Sequence, residues 1–308
     1  METDVRNRNE EIKRGVKTAF IFMLFALIAS QILSMILSFV PSKICQIICM
    51  ALGTVIALRG KSGPEKGTLL AQKNRMTGSS FIVTLGAFMF AKLLSMLLSL
   101  LVMLVFVKDG DTTAMQDAFT VEDDVLMSFL FLGIATPICE EAVFRGCIGN
   151  SFKKHGIWFA MVMSSLLFAL YHCNIFQLIS TFLPGIVLFY VAMNYSIKWS
   201  VLFHFINNGI LSIGLTALKK AFPDSFAAGC AEYVIEGALL IAALCLMKKD
   251  SAVEKVRAFL SAPENEKGAY RTAFGNIWFI LLVLAMMLVT ATLLLMLGGN
   301  MPAPFAGG

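Results

Sequence analysis

Charge is scarce in this chain: 15% of its 308 residues are Asp, Glu, Lys or Arg, against 58% that are hydrophobic. Soluble domains carry about 25% charged and about 45–50% apolar residues, so an ordinary soluble fold is excluded, in keeping with a mean hydropathy of +0.79. Proline is rare (8 residues), which favours long unbroken helices, and the abundance of Phe (26) and Met (18) excludes a disordered chain. No C-x-x-C pair occurs, and the seven cysteines (Cys45, Cys49, Cys139, Cys147, Cys173, Cys230, Cys245) are odd in number. That argues against a disulfide framework or a thiolate metal site and marks them as small apolar residues within helices. Nucleotide-binding glycine loops and nucleic-acid motifs are missing as well.

What is present is length of apolar run. A bilayer core needs roughly 20 apolar residues per helix, and on that basis nine candidate spans emerge, at 18–40, 42–58, 77–107, 125–150, 156–172, 174–195, 197–218, 231–247 and 273–297. The expected fold is therefore all-α, a polytopic transmembrane bundle of eight or nine spans. The first run is too long for a signal h-region and no small-residue cleavage site follows it, so it reads as a true span. With the amino terminus inside, nineteen Lys and Arg fall on its side of the membrane and four (Lys43, Lys108, Lys219, Lys220) on the other. This is a strong positive-inside signal for a cytoplasmic amino terminus and an acidic outer loop at 109–124. The polar segment 250–272 has Val253, Val256, Phe259 and Leu260 at helical spacing and suits a short interfacial helix or a solvated connector. The Gly- and Pro-rich tail after Leu297 reads as disordered.

Ionisable groups inside a span are costly and are functional-site hypotheses by default. The fourth span contains PICEEAVFRG, with Pro137, Glu140, Glu141, Phe144 and Arg145. Glu141 and Arg145 are spaced i, i+4 in the favourable order and should pair. Glu140, about 100° away around the helix, is left without a local partner on the face of Phe144. Two of only three histidines also lie in spans: His172, four residues after Phe168, and His204, four before Asn208. The spacing puts Asn208 on the helix face of His204, where it can orient the ring or donate to an oxyanion. His155 follows Lys153 and Lys154 and reads as a solvated turn residue. Lys92 is expected to meet a carboxylate or line a cavity, and Glu232 and Glu236 to meet water or Lys219 and Lys220.

From the span ends, Glu140 lies about 15 Å and His204 about 9 Å below the inner surface, and His172 about 24 Å from Gly156, at 1.5 Å per residue. Convergence of the three needs a tilt or a break in the fifth span, and is compatible with a water-filled cavity reaching the inner side.

The three motifs, E-E-x-x-F-R-G at Glu140–Glu141 through Gly146, F-x-x-x-H at Phe168 and His172, and H-x-x-x-N at His204 and Asn208, follow in order on successive segments. In this the chain resembles the CPBP family, which comprises the type II CAAX prenyl endopeptidases and the bacteriocin-processing or immunity (ABI) proteins. The resemblance covers residues 130–213 and implies an intramembrane endopeptidase. It also implies roles: Glu140 as general base, His172 positioning the water, His204 and Asn208 stabilising the oxyanion. Glu141, Arg145, Phe144 and Phe168 would support them. The chain would then divide into N-terminal spans with the outer loop (1–124), a catalytic core (125–218) and C-terminal spans with the tail (219–308).

Two His and one or two Glu (Glu140, His172, His204) also suit Zn2+ with water in an open position. The spacing lacks H-E-x-x-H, and a base acting directly on water needs no metal, so a metal-free glutamate mechanism is preferred and zinc is the alternative. The expected setting is a bacterial plasma membrane, with the lipid bilayer and a peptide or membrane-protein substrate as partners. Two other functions fit the polar cluster: a non-catalytic immunity or scaffold protein acting through its loops, and a transporter. The latter is disfavoured because no inverted repeat is present. Substrate identity and oligomeric state are not encoded in any motif.

Overall fold

The computed structural model describes residues 2–60, 70–71, 73–106, 124–261 and 268–297. The tail after Leu297 and the acidic loop, apart from Asp124, lie outside the described residues. Eleven helices account for the fold among the described residues, without a strand. They are α1 (residues 2–36), α2 (Ser42–Arg59), α3 (Gly78–Phe106), α4 (Val125–His155), α5 (Ile157–Leu170), α6 (Ile175–Asn194), α7 (Ile197–Ala221), α8 (Phe226–Asp250), α9 (Ala252–Leu260), α10 (Ala269–Phe274) and α11 (Ile277–Leu297). Eight of them are long and apolar enough to cross a membrane. The chain is an integral membrane protein built as a polytopic helical bundle.

The fifth expected span is the exception. Helix α5 has 14 residues, about 21 Å, short of the roughly 30 Å hydrocarbon core. It stops because the chain turns at Tyr171–His172, Cys173 takes a left-handed conformation (φ 58°) and the Asn174 side chain accepts from the Gln177 amide (2.8 Å), starting α6. The break that convergence required is thus present, and it leaves His172 on a turn within the bundle.

Two sets of contacts define the ends of the bundle. At the amino-terminal end the Lys73 amide donates to Tyr195 O (2.8 Å) and the Ser80 hydroxyl to Asp250 (2.6 Å). Asn276 donates to Lys13 O (3.1 Å), and His155 pairs with Glu11 (3.2 Å). His155 is buried by this contact, where a solvated turn residue was expected. At the far end Lys43 donates to Ser128 (2.9 Å) and the Ile175 amide to Thr290 (3.0 Å). Of the two readings its spacing allows, the segment takes the helical one: in α9, Phe259 and Leu260 pack on the core, with Val253 and Val256 exposed.

Lys73 lies outside the spans with its ammonium 3.5 Å from Ala192 O. Desolvation, and then the charge of Lys153, lower its pKa to about 8. This is below the ordinary lysine value of about 10.4, so between these limits the unfolded chain binds more protons and stability rises with pH. Lys73→Met should remove that part of the pH dependence, read as thermal unfolding in detergent across pH 7–10.

Helices α3 and α8 cross closely. A Cβ at Gly86 would sit 2.3 Å from the Ala243 Cβ, and a Cβ at Gly133 would sit 3.1 Å from the Gly209 Cα where α4 crosses α7. Small residues let membrane helices approach to backbone contact. Gly86→Val is therefore expected to lower stability by about 1–3 kcal/mol, measured by thermal unfolding in the same detergent.

Candidate active site

Glu140 and Glu141 sit where α4 passes from an α-helical turn (Thr136–Glu140) into a π-helical stretch (Glu141–Gly149). Widened turns of this kind recur at functional sites. A second one, Ile206–Gly214, follows His204 in α7. The two glutamates diverge around their helix, as the spacing predicts, yet both reach one imidazole, because His204 lies between them. Its Nδ1 is 3.1 Å from Glu141 Oε1 and its Nε2 is 3.7 Å from Glu140 Oε2.

Glu141 is fully satisfied. Its Oε1 accepts from Arg145 Nη1 (3.0 Å) as well as from His204, and its Oε2 accepts from the Ser200 hydroxyl. Arg145 is completely buried, donates through Nη2 to Gly185 O (3.2 Å), and lies over the Phe168 ring at 4.3 Å. The expected Glu141–Arg145 pair is present, and Phe168 acts through its ring face. Phe144 is fully buried against Phe22, Phe168 and Tyr171, with ring centroids 5.2–5.7 Å apart. It packs the wall behind Glu140.

Glu140 is only half satisfied. Its Oε1 accepts from the Tyr171 hydroxyl, but its buried Oε2 has no hydrogen-bond partner among the described residues. A single oxygen placed about 2.8 Å from both this atom and His204 Nε2 subtends about 83°, which slightly bent hydrogen bonds allow. His172 contributes Nδ1 to Phe168 O (2.9 Å). A carbonyl only accepts, so Nδ1 carries a proton, and in the neutral ring Nε2 keeps its lone pair.

Glu140, His172, His204 and Asn208 line one open cavity of about 600 Å³. The amide of Asn208 does not orient His204. It donates to Leu132 O (3.3 Å) and accepts from Asn207 (2.8 Å), while Glu141 holds the imidazole. Tyr171, Ser200 and Asn207 were absent from the sequence reading. Ser200 was within reach of it, four residues before His204 on the row that continues to Asn208; Tyr171, beside His172, becomes relevant only once α5 ends and turns.

Among the described residues no group of three or more His, Cys, Asp or Glu is arranged to hold a metal ion. Glu140 Oε1 and both Nδ1 atoms are engaged in hydrogen bonds, which leaves Glu140 Oε2 and the two Nε2 atoms as the groups that can meet a bound water or ion. Lys92, also on the cavity wall, bridges Glu236 (2.7 Å) and Glu232 (3.1 Å) and ties α3 to α8, with Lys219 3.6 Å from Glu232.

Residues 122–210 match the family described as Rce1-like, type II CAAX prenyl endopeptidase Rce1-like. The matched segment contains Glu140, Glu141, Arg145, Phe168, His172, His204 and Asn208, and it bears out the CPBP resemblance of the three motifs. No curated protein and no solved structure matches the chain.

Proposed function

Because residues 122–210 carry an Rce1-like, type II CAAX prenyl endopeptidase domain, we propose that this protein is an intramembrane endopeptidase using Glu140 as general base. The observation that carries this reading is the Glu140 Oε2 atom: buried, unpartnered, on the cavity wall and 3.7 Å from His204 Nε2. A buried carboxylate oxygen without a protein donor is costly, and a reacting water would satisfy it.

In the proposed reaction Glu140 Oε2 takes one proton from a water as its oxygen attacks the scissile carbonyl carbon. His172 Nε2 accepts the water's other hydrogen and aims it. The tetrahedral intermediate has two oxygens, one facing Glu140 and one, the oxyanion, facing His204 and Asn208. Donation by His204 Nε2 requires an imidazolium, and with that charge Glu140, Glu141, Arg145 and His204 sum to zero, the balance a buried cluster needs. Glu141 is a positioning residue that holds Nδ1. When the C–N bond breaks, the proton on Glu140 passes to the leaving amine, restoring the carboxylate. No metal is required.

The test is cleavage by the full chain in lipid nanodiscs, read by mass spectrometry. The probes are a peptide with a prenylated C-terminal CAAX sequence, its unprenylated form, and a bacteriocin-like leader peptide. Cleavage of any of them by the wild type and not by Glu140→Gln supports the reading; equal cleavage by both overturns it. The distribution of basic residues supports an amino terminus on the cytoplasmic side.

A further inference from the structure

We propose that substrate reaches Glu140 from the membrane face opposite the amino terminus, the outer face when the basic ends stay in the cytoplasm. The substrate class is then a peptide segment presented at the outer surface, such as an exported peptide or an outward-facing stretch of a membrane protein. The proposal rests on the endopeptidase reading for the nature of the ligand, but not for the direction of access.

Four observations carry it. The first is the position of the polar cavity lining. Gln31 lies five residues from the far end of α1, Gln46 four from the start of α2, and Gln177 two from the start of α6. All three helix ends belong to the bundle end that carries Lys43, Ser128 and Ile175, not to the end with the amino terminus. At 1.5 Å per residue they mark a polar path within about 3–8 Å of those helix ends.

Second, Gln46, half-buried in an apolar helix, makes no side-chain hydrogen bond to any described residue, and Gln31, which also lines the cavity, is exposed. A carboxamide in a membrane span without a partner is costly. Water or a peptide backbone in the cavity supplies the missing partners, since each carboxamide offers both a donor and an acceptor.

Third, the opposite direction is closed. Between the Glu140–His204 pair and the amino-terminal end stand Val143, Phe144, Ile148, Phe152, Phe189 and Phe203, each completely buried. The Glu141–Arg145–Ser200 network lies in the same layer and is equally buried. Close-packed aromatics leave no passage for a chain.

Fourth, α5 ends early, so the turn at residues 171–174 leaves His172 facing the cavity instead of continuing a wall to the far surface. The short helix is what opens that side. This packing favours the far side over the inner-side cavity that the depths of the residues alone permit.

The experiment is cysteine accessibility in intact cells. The parent is the full chain carrying Cys230→Ala and Cys245→Ala, the two cysteines that are not buried. Gln31→Cys, Gln46→Cys and Gln177→Cys are each labelled with a membrane-impermeant maleimide before and after permeabilisation. Lys154→Cys, at the amino-terminal end, is the control, and the unsubstituted parent sets the background.

The three entrance positions are expected to label to the same extent before and after permeabilisation. Lys154→Cys should gain at least about ten-fold on permeabilisation, because the thiolate reacts only where water and reagent reach it. Labelling of the entrance positions only after permeabilisation, or in neither state, overturns the proposal. The readout does not depend on catalysis: outward labelling in a protein that cleaves no peptide would leave the access route standing and sink the endopeptidase reading.

Discussion

Glu140→Gln is expected to lower turnover by about 10³-fold, the midpoint of what a positioned general base contributes, while leaving the protein folded. Gln keeps the shape and still accepts from the Tyr171 hydroxyl through its carbonyl oxygen. The amide nitrogen then replaces Oε2 near His204 Nε2 and cannot take a proton. The measurement is kcat on whichever peptide the wild type cleaves, with thermal unfolding of the same sample as control. A variant that is folded and fully active would remove Glu140 from the chemistry. A merely structural carboxylate would show the reverse pattern, with lowered stability and retained turnover.

The second large effect concerns Arg145, the largest completely buried side chain among the described residues. Among the described residues, Arg145 and the His204 imidazole are the groups that contact Glu141 Oε1. Arg145→Met leaves Glu141 buried with the Ser200 hydroxyl and His204 alone, and removing one member of a buried pair costs about 3–5 kcal/mol. The expected result is a large fall in thermal stability in detergent. The double variant Glu141→Gln/Arg145→Met leaves no uncompensated charge and should recover part of that loss. If the single and double variants are equally unstable, the packing of Arg145 on Phe168 matters more than the charge pair.

The sequence by itself determined the class of this molecule. Apolar runs of about 20 residues have one low-energy arrangement in a bilayer, a bundle of helices, because lipid cannot satisfy backbone groups. It also determined the local pairs, since residues four apart on one helix must be neighbours: Glu141 meets Arg145, and the Phe168 carbonyl meets His172. The positions of Glu140, His172 and His204 as rare polar groups in apolar segments were equally legible.

Only the tertiary structure decided which of these groups meet across helices. That Tyr171 binds Glu140, that Ser200 and His204 share Glu141, and that Asn208 turns instead to Leu132 depend on where α5 stops and on the π turns in α4 and α7. A helical wheel with a fixed 100° step cannot express a widened turn, and a hydropathy window cannot separate a 14-residue helix from the turn and apolar helix that follow it. The direction in which the cavity faces was hidden for the same reason. Depth along each helix is readable from the chain, but whether the space above or below a residue is filled by aromatic side chains is a property of the packed bundle.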